Sequence, residues 1–309
     1  MSMASDVGEG AVRIEPVDFP ASDGRPLKGQ LFLPADALGA AGRAVVAIGP
    51  AAAVPSRFYR HFAHAVAERG HPCLSFDVRD VGLSRSGALR GVGTRMRDWA
   101  VSDVGGAIAA LQARYPGREI CWVGHSMGGF ATGLAPNGRA IARQLCVATL
   151  NGYWGRMAGA EKWRVLAMMG VVSPVVLAAF GYMPGKLMGG EDMPGPAFAE
   201  WRRWCLDPDF VFGDATLPAR ENIAAFQAPI RFLQFADDAW GTAASVGVMA
   251  ARFTASRDCQ VMAVAPSDVG ARRIGHMGFF RPEFRHTLWR PHLDWLLQPD
   301  RHSSRPASA

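Results

Sequence analysis

The chain has 309 residues, of which 49% are hydrophobic and 19% are charged. This length and composition predict a globular protein with a sizeable buried core, in one large domain or two small ones. They exclude a disordered chain, a collagen-like fibre and a small disulfide scaffold. The net charge of +6 comes from 33 basic and 27 acidic residues, but the basic residues are spread along the chain and form no single patch. We therefore expect no nucleic-acid partner.

The sequence shows no pattern for a metal or a cofactor. Its five cysteines are an odd number without C-x-x-C spacing, which does not suit a disulfide framework. There is no zinc-ligand spacing, no Walker A phosphate loop and no G-x-G-x-x-G after a strand. The first ten residues include Asp6 and Glu9 and lack the apolar stretch of a secretory signal. The sequence thus predicts a cytoplasmic protein that needs neither metal nor cofactor.

Apolar runs of strand length alternate with helical patterns along the first half of the chain. Residues 12–19 and 27–33 flank Ser22-Asp23-Gly24 and predict an antiparallel hairpin. The alternation that follows is typical of β-α-β units and of a largely parallel sheet. The predicted strands are 44–49, 73–78, 120–124 and 145–150, and the predicted helices are 56–69 and 98–114.

The alternation stops between residues 151 and 217, a stretch rich in Gly, Pro, Met and Trp. This stretch predicts an inserted helical cap. The pattern then resumes with strands at 230–235 and 260–265 and helices at 245–253 and 283–297. The predicted organisation is a core of residues 12–150 and 218–298, a cap of residues 151–217, and disordered tails at 1–11 and 299–309.

One segment of this cap is apolar enough to span a bilayer. Val165 to Met183 contains 19 consecutive uncharged residues. Ser173-Pro174 lies at its middle, and a single internal span would place the two halves of the chain on opposite sides of the membrane. We therefore expect a covered apolar lid and no stable membrane span. The lid residues expected to face the pocket or the domain beneath include Met168, Met169 and Phe180.

The sharpest motif is Gly124-His125-Ser126-Met127-Gly128-Gly129, which contains G-x-S-x-G directly after a predicted strand. A sharp strand-to-helix turn exposes the serine hydroxyl, and the glycines at 124 and 128 remove side chains that would collide in it. The N–H of Met127 would point, with the helix dipole behind it, toward a developing oxyanion. The motif predicts a nucleophile at Ser126; the other interpretation is a glycine-rich turn with an incidental serine.

A serine nucleophile needs a base and an orienting acid, which follow the serine in the chain order acid, then histidine. Asp237 and Asp238 follow the predicted strand 230–235, at the edge where open α/β sheets build their sites. His276 lies between glycines after the last predicted strand, whereas the later histidines fall in the last helix or the tail. We therefore predict His276 as the base and one of the two aspartates as the acid.

With these motifs the chain resembles the α/β-hydrolases, and among them the serine-aminopeptidase-like branch of predicted hydrolases. The resemblance runs from Asp23 to Trp295. It implies the α/β-hydrolase fold, a mainly parallel central sheet flanked by helices with an inserted helical cap. It also implies that Asp238 is the acid, because the family's acid follows its strand after a short turn. Asp237 remains the alternative.

The chain departs from the family pattern at two places. Residues 76–84 resemble the family's D-x-R-G-x-G-x-S loop, but Asp80 replaces a glycine, which bears on the local backbone. The family often has His-Gly after its first long strand, where this chain has Gly-Pro-Ala-Ala-Ala. Counting back from Tyr59 places Ala52, or otherwise Ala51, where the second oxyanion donor is needed. Only a backbone N–H is required, so alanine can serve.

The sequence as a whole predicts a serine hydrolase that cleaves carboxylic esters of apolar or medium-sized acyl groups through an acyl-enzyme. Ser126 attacks, His276 accepts its proton, and Asp238 holds the imidazolium. The expected partner is a small-molecule acyl substrate. The same residues could also carry out acyl transfer, amide or peptide cleavage, or C–C bond hydrolysis, and an inactive binding protein is a further alternative. The cap methionines fit either core packing or an acyl-binding wall.

Overall fold

The structure, a computed structural model, describes residues 12–36 and 42–298. The predicted disordered tails lie outside these residues. The apolar runs of the sequence form strands, and the short gaps between them form turns. The strands are β1 (Arg13–Pro20), β2 (Pro26–Leu33), β3 (Val45–Gly49), β4 (Cys73–Asp77), β5 (Ile120–His125), β6 (Ile141–Val147), β7 (Tyr182–Met183), β8 (Met193–Pro194), β9 (Ile230–Phe235) and β10 (Cys259–Val264).

Eight of these strands form one sheet in the order β1-β2-β4-β3-β5-β6-β9-β10. The hairpin β1–β2 is antiparallel, as predicted, and β2 pairs antiparallel with β4. The other neighbours are parallel. Strands β3, β4 and β5 are buried along their whole length because helices cover both faces of the sheet. The predicted mainly parallel sheet flanked by helices is confirmed.

Helices occupy the segments between the strands and follow the last of them. Three π-helical turns extend them: Trp99–Asp103 joins α2 to α3, Met168–Val172 joins α5 to α6, and Arg285–Trp289 precedes α11. The α-helices of the described ranges are α1 (Arg60–Glu68), α2 (Met96–Asp98), α3 (Val104–Arg114), α4 (Met127–Ala131), α5 (Glu161–Ala167), α6 (Ser173–Phe180), α7 (Gly195–Leu206), α8 (Ala219–Ala224), α9 (Ala243–Ala250), α10 (Gly275–Gly278) and α11 (Arg290–Leu296).

Strand β6 begins at Ile141, four residues before the predicted start. The prediction followed the apolar run from Leu145, but Arg143 and Gln144 precede that run within the strand. Arg143 stacks its guanidinium over the Trp295 ring, 5.5 Å from the ring centroid, and Gln144 bonds to the Gly129 carbonyl. Tertiary partners therefore let polar residues occupy a central strand.

The sheet separates two hydrophobic clusters. Side chains alternate along each strand, so in β3 Val45 and Ala47 enter one cluster while Val46 and Ile48 enter the other. The second cluster lies against α1 and α11. The first cluster continues beyond the sheet into residues 151–217, where it takes in Met169, Met183, Phe198 and Trp204.

Residues 151–217, for which the sequence predicts the cap, contain α5, α6, α7 and the two-stranded sheet β7–β8. Besides the shared apolar cluster, ion pairs tie this segment to the rest of the chain. Arg97 pairs with Glu200 at 2.6 Å and with Asp214 at 3.0 Å. Both carboxylates are almost fully buried, so these pairs fix where α7 lies.

Asp80, which stands where the resembling loops have glycine, has a φ of +62°. This is the left-handed region, which glycine adopts without strain and aspartate tolerates better than most residues. The carboxylate accepts hydrogen bonds from the Thr94 hydroxyl at 2.6 Å and from Arg25 at 3.0 Å. The loop thus keeps the backbone that glycine would provide, and the side-chain bonds of Asp80 hold it there.

Candidate active site

Ser126 lies in the turn between β5 and α4, with φ +51° and ψ −112°. A residue other than glycine is strained in this backbone conformation, which persists only where the surrounding structure holds it. The Ser126 N–H donates to the Val147 carbonyl at 2.9 Å, and its own carbonyl accepts from the Gly129 N–H and the Thr149 hydroxyl at 3.1 Å each. These bonds fix the turn and leave the serine side chain in the wall of a cavity.

The glycines around Ser126 are required by close backbone contacts. A Cβ at Gly124 would collide with the backbone of Gly128 and Gly129, and a Cβ at Gly128 would collide with the carbonyl of Gly49. Gly129, which was not singled out from the sequence, faces the Thr149 hydroxyl in the same way. The tight strand-to-helix turn expected from the motif is therefore present.

His276 and Asp238 are joined by a hydrogen bond of 2.7 Å between Nδ1 and Oδ2. The other carboxylate oxygen of Asp238 accepts from the Trp240 N–H at 3.0 Å. Burial opposes the charged form of Asp238, but the bond and charge of His276 and the N–H groups of Gly241 and Trp240 outweigh it, so its pKa lies below the ordinary value. Asp238 is therefore a buried carboxylate aimed at His276.

The neighbouring aspartate has a different function in the structure. The carboxylate of Asp237 is exposed and accepts the backbone N–H groups of Ile274 and Gly275, each at 2.9 Å. Asp237 thus holds the start of α10, the short helix that contains His276. The sequence does not decide which of the two aspartates is the acid. In the structure Asp238 contacts the His276 ring, whereas Asp237 contacts the backbone N–H groups of Ile274 and Gly275, just before His276.

Ser126 and His276 line one cavity of about 250 Å³. A smaller pocket of about 30 Å³ is also lined by Ser126, together with Met127 and Ala52. Among the described residues no hydrogen bond joins the Ser126 hydroxyl to the His276 ring, and such bonds often form only when substrate is bound. The apolar residues of the larger cavity include Val54, Met188, Met193, Trp201, Trp240 and Met277.

The two candidate oxyanion donors after β3 differ in their hydrogen bonds. The Ala51 N–H donates to the Tyr59 hydroxyl at 2.9 Å. The Ala52 N–H makes no hydrogen bond to any residue that the structure describes, and Ala52 lines both pockets beside Ser126. Met127 begins α4 directly after the serine, where helix N–H groups lack intrahelical partners. The geometry thus favours Ala52 and Met127 over Ala51.

Comparison with known proteins places this geometry in a family. Residues 40–178 match the family model described as serine aminopeptidase, S33, and no curated protein matches the chain. A hypothetical protein from Pseudomonas aeruginosa has a TM-score of 0.62 at 16% identity, over 96% of this chain and 100% of its own. An esterase from Exiguobacterium antarcticum has a TM-score of 0.60 at 15% identity, over 91% and 99%.

A loop variant of a haloalkane dehalogenase from Bradyrhizobium elkanii has a TM-score of 0.63 at 14% identity, over 92% of this chain and 96% of its own. At such identities the likeness shows the fold. The chain has the α/β-hydrolase fold.

A buried hydrogen-bond network links the two sides of the site. The Nε2 atom of His125 lies 2.9 Å from the His276 carbonyl oxygen, and its Nδ1 lies 2.9 Å from the Tyr59 hydroxyl. A carbonyl only accepts, so Nε2 carries the proton and Nδ1 accepts from Tyr59. Burial, with the nearby His276, lowers the pKa of His125 to about 3, so the ring is neutral. The Ala51 N–H, donating to Tyr59, completes the chain of bonds.

Neither Tyr59 nor His125 was predicted as a site residue. His125 occupies the variable position of G-x-S-x-G, to which the motif assigns no role. The available signal was a polar, titratable side chain at the end of an otherwise apolar strand. A ring buried there must find hydrogen-bond partners for its nitrogens. Here the partners are the backbone carbonyl of His276 and the hydroxyl of Tyr59.

The cap contributes a charged pair beside the larger cavity. Arg164 lines the cavity and bonds to both carboxylate oxygens of Glu161, at 2.8 and 2.6 Å. Glu161 also accepts the indole N–H of Trp240 at 2.5 Å, two residues from Asp238. The hydrogen bond from Arg164, opposed in part by burial, lowers the pKa of Glu161. Within the described ranges no group of three His, Cys, Asp or Glu residues could hold a metal ion.

The cap methionines divide between the two expected uses. Met188 and Met193 line the cavity, whereas Met157, Met169 and Met183 are buried in the hydrophobic cluster beneath. Met193 belongs to that cluster as well, so it forms the boundary between them. Core packing is thus confirmed for the buried methionines, and an acyl-binding wall stays a prediction for Met188 and Met193.

Proposed function

We propose that this α/β-hydrolase is a serine hydrolase that cleaves carboxylic esters of apolar, medium-sized acyl groups. The Ser126 hydroxyl oxygen attacks the ester carbonyl as His276 accepts its proton. The alcohol leaves with that proton, and an acyl group remains on Ser126. Water, deprotonated by His276, then attacks this acyl-enzyme and releases the acid.

The observation that carries this proposal is the 2.7 Å bond from His276 Nδ1 to Asp238, in a cavity that Ser126 also lines. Because Nδ1 donates its hydrogen to the carboxylate, the neutral ring keeps Nε2 as its acceptor. This is the tautomer that a general base needs. When the ring takes the serine proton, the buried Asp238 carboxylate stabilises the imidazolium.

The oxyanion of the tetrahedral intermediate would be bound by the N–H groups of Met127 and Ala52. Both residues line the pocket at Ser126, and the Met127 N–H lies at the positive end of α4. Donors fixed in a backbone need no reorganisation as charge develops, which is the largest single contribution in many acyl-transfer enzymes. Alanine suffices at position 52 because only the N–H is used.

The cavity suits an apolar substrate of moderate size. Its volume of about 250 Å³ lies just below the range of ~300–1,000 Å³ found for small-molecule sites. Met188, Met193, Trp201 and Trp240 supply apolar and aromatic walls. Similar structures include esterases from Exiguobacterium antarcticum and Pyrococcus furiosus, which supports ester chemistry, although the dehalogenase likeness shows that the fold alone does not decide the reaction.

Amide cleavage at a peptide amino terminus is the second candidate, because the matching family model is described as a serine aminopeptidase. Such a substrate presents an ammonium group, which a carboxylate would recognise. Among the described residues lining the larger cavity, the charged or titratable side chains are Arg164 and His276. No carboxylate is among the described residues lining this cavity to pair with an ammonium group, so we place ester hydrolysis first.

The proposal is tested with a panel of p-nitrophenyl esters of increasing acyl length and the matched p-nitroanilides, using the protein and its Ser126→Ala variant. We expect kcat/KM to rise from acetyl to acyl groups of several carbons, by up to about fourfold for each buried methylene, and to be far lower for the anilides. Ser126→Ala should lose about 10⁴-fold. Anilides cleaved as fast as esters, or an active Ser126→Ala variant, would contradict the proposal.

A further inference from the structure

Among the described residues, the most exposed large apolar side chains lie on the cap. Glu161–Phe180 is a continuous helix, long and apolar enough to cross a membrane, yet only 17% of its most apolar stretch is buried. The sequence predicts that this segment is covered, and for Met169 this is correct. It is wrong for Phe180, which is 48% exposed, because no other element covers the last turn of α6, where residues 178–180 are all exposed. Val171 and Val175 are 69% and 67% exposed.

The helix has two faces with different surroundings. Val165, Met169 and Ser173, four residues apart, are buried, and the Met169 carbonyl accepts a hydrogen bond from Arg202 of α7. The helix therefore stays attached to the protein along one side and cannot leave it to span a bilayer. The opposite face carries the exposed residues Ala167, Val171, Pro174, Val175 and Ala178, and it has no polar side chain after Arg164.

Cations lie at both ends of this apolar face. At the start of the helix the Lys162 ammonium lies 5.1 Å from the centroid of the Trp163 ring, which is 57% exposed. At the other end Arg90 donates to the Ala179 carbonyl at 2.7 Å, and Lys186, exposed beside the exposed Leu187, follows six residues after the helix in the chain. From residue 165 to residue 185 the sequence has no charged residue. An apolar stripe bordered by basic groups is typical of helices that lie in a lipid interface.

We propose that this face docks on the surface of an anionic lipid bilayer, with the helix Glu161–Phe180 in the plane of the interface. Val171 and Val175 would enter the boundary of headgroups and acyl chains. Lys162, Arg90 and Lys186 would meet lipid phosphates and carboxylates, at roughly 1 kcal/mol per basic residue.

Docking would also place the catalytic cavity at the lipid surface. Arg164 belongs to the first turns of this helix and lines the cavity with Ser126, so the mouth of the site lies beside the docked face. Apolar esters that partition into the bilayer would then reach the cavity without crossing water. This part of the inference rests on the proposed ester hydrolysis, whereas the docking itself rests on the exposed face and its charges.

A second copy of the chain fits the same face less well. In a symmetric dimer each patch meets itself, so the basic ends of one helix would lie against those of the other. The exposed stripe also offers no polar side chains for the hydrogen bonds that protein interfaces form about once per 100–200 Å². An anionic membrane neutralises the cations and needs no hydrogen bond to the stripe.

The test is co-sedimentation of the full chain with vesicles of phosphatidylcholine, and of phosphatidylcholine mixed with phosphatidylserine, at low and high salt. The protein should pellet with the mixed vesicles and less so at high salt. Val171→Gln with Val175→Gln should weaken this binding by about tenfold or more. Lys162→Gln with Lys186→Gln should weaken it by about tenfold on mixed vesicles only. The control, Ile14→Gln with Val261→Gln, replaces apolar residues that are 47% and 48% exposed on β1 and β10 and should change binding by less than about twofold.

Each protein is also assayed on a water-soluble acetyl ester, which reports the site without a membrane. Unchanged turnover with lost binding in the Val171/Val175 variant supports docking. If the unmodified protein hydrolyses the ester but pellets with neither kind of vesicle, docking is overturned and the proposed function stands. If it pellets with vesicles but does not hydrolyse the ester, the proposed function is overturned and docking stands. A concentration-dependent dimer that the Val171/Val175 variant abolishes would assign the face to self-association and overturn the lipid proposal.

Discussion

The Nε2 atom of His125 lies 2.9 Å from the backbone carbonyl of His276, so the residue before the nucleophile holds the backbone of the base. The bond crosses from β5 to α10, the short helix that contains His276. Through Tyr59 the same network reaches the Ala51 N–H, next to the proposed oxyanion donor. The nucleophile, the base and the oxyanion donor thus share one buried support.

This network predicts that Tyr59→Phe lowers activity without touching a reacting group. The variant removes the hydroxyl, leaving His125 Nδ1 and the Ala51 N–H without partners, at a cost of about 1–3 kcal/mol for each buried group. We expect kcat to fall by about tenfold with KM little changed. Tyr115→Phe, outside the cavity walls, is the control and should match the unmodified enzyme. Equal kcat for Tyr59→Phe and Tyr115→Phe would show that the network does not position the site.

The two adjacent aspartates should differ sharply. Asp238→Asn removes the carboxylate that holds the His276 tautomer, so kcat should fall by about 10⁴-fold. Asp237→Asn weakens the two N–H contacts that hold the loop at Ile274 and Gly275 and should cost less than about tenfold. Steady-state kinetics of both variants on one ester decide the matter. A larger loss from Asp237→Asn would assign the acid to Asp237.

The elbow glycine should be intolerant of even one methyl group. In Gly128→Ala the new Cβ would meet the Gly49 carbonyl, which is backbone and cannot move aside. We expect a loss of about 3 kcal/mol in the free energy of unfolding, or failure to fold. The matched variant Gly247→Ala places its Cβ in open space on α9 and should gain about 0.5–1 kcal/mol. Urea unfolding measures both, and equal effects would contradict the collision.

Acid should destabilise the fold through buried neutral histidines. Burial, with the charge of Arg231, lowers the pKa of His292 to about 4, against about 6.5 in an unfolded chain. Below about pH 6.5 the unfolded chain binds a proton that the folded chain refuses until about pH 4, so stability falls across this window. His292→Leu removes this pH-dependent contribution to the free energy of unfolding.

Urea unfolding should show the unmodified protein losing roughly 2 kcal/mol more than His292→Leu between about pH 7 and about pH 5. His125 remains in both proteins, so its own acid sensitivity cancels in the comparison. Identical losses would mean that His292 is protonated in the folded state as readily as in the unfolded chain.

Much of this arrangement follows from the sequence, because local patterns carry it. The apolar runs predict the parallel strands, the glycines at 124 and 128 predict the turn at Ser126, and the order of the motifs along the chain predicts where His276 falls. These features depend on periodicity and on local steric limits, which a single sequence expresses directly.

The rest depends on tertiary contacts. Asp237 and Asp238 are adjacent and chemically identical, and only the packing of the His276 loop decides which carboxylate meets the ring. Ala51 and Ala52 are distinguished by the hydroxyl of Tyr59. The exposure of Phe180 could not be predicted, since hydropathy measures composition and not which face of a helix another element covers.

The most direct test of the central claim is covalent labelling by a fluorophosphonate, in which the activated serine oxygen displaces fluoride from phosphorus. The account predicts one phosphonyl group per chain, found on the peptide containing Ser126 by mass spectrometry. Labelling should be lost in Ser126→Ala and slowed by about 10³-fold or more in Asp238→Asn. Labelling at another residue, or at an unchanged rate in Asp238→Asn, would contradict a Ser126–His276–Asp238 mechanism.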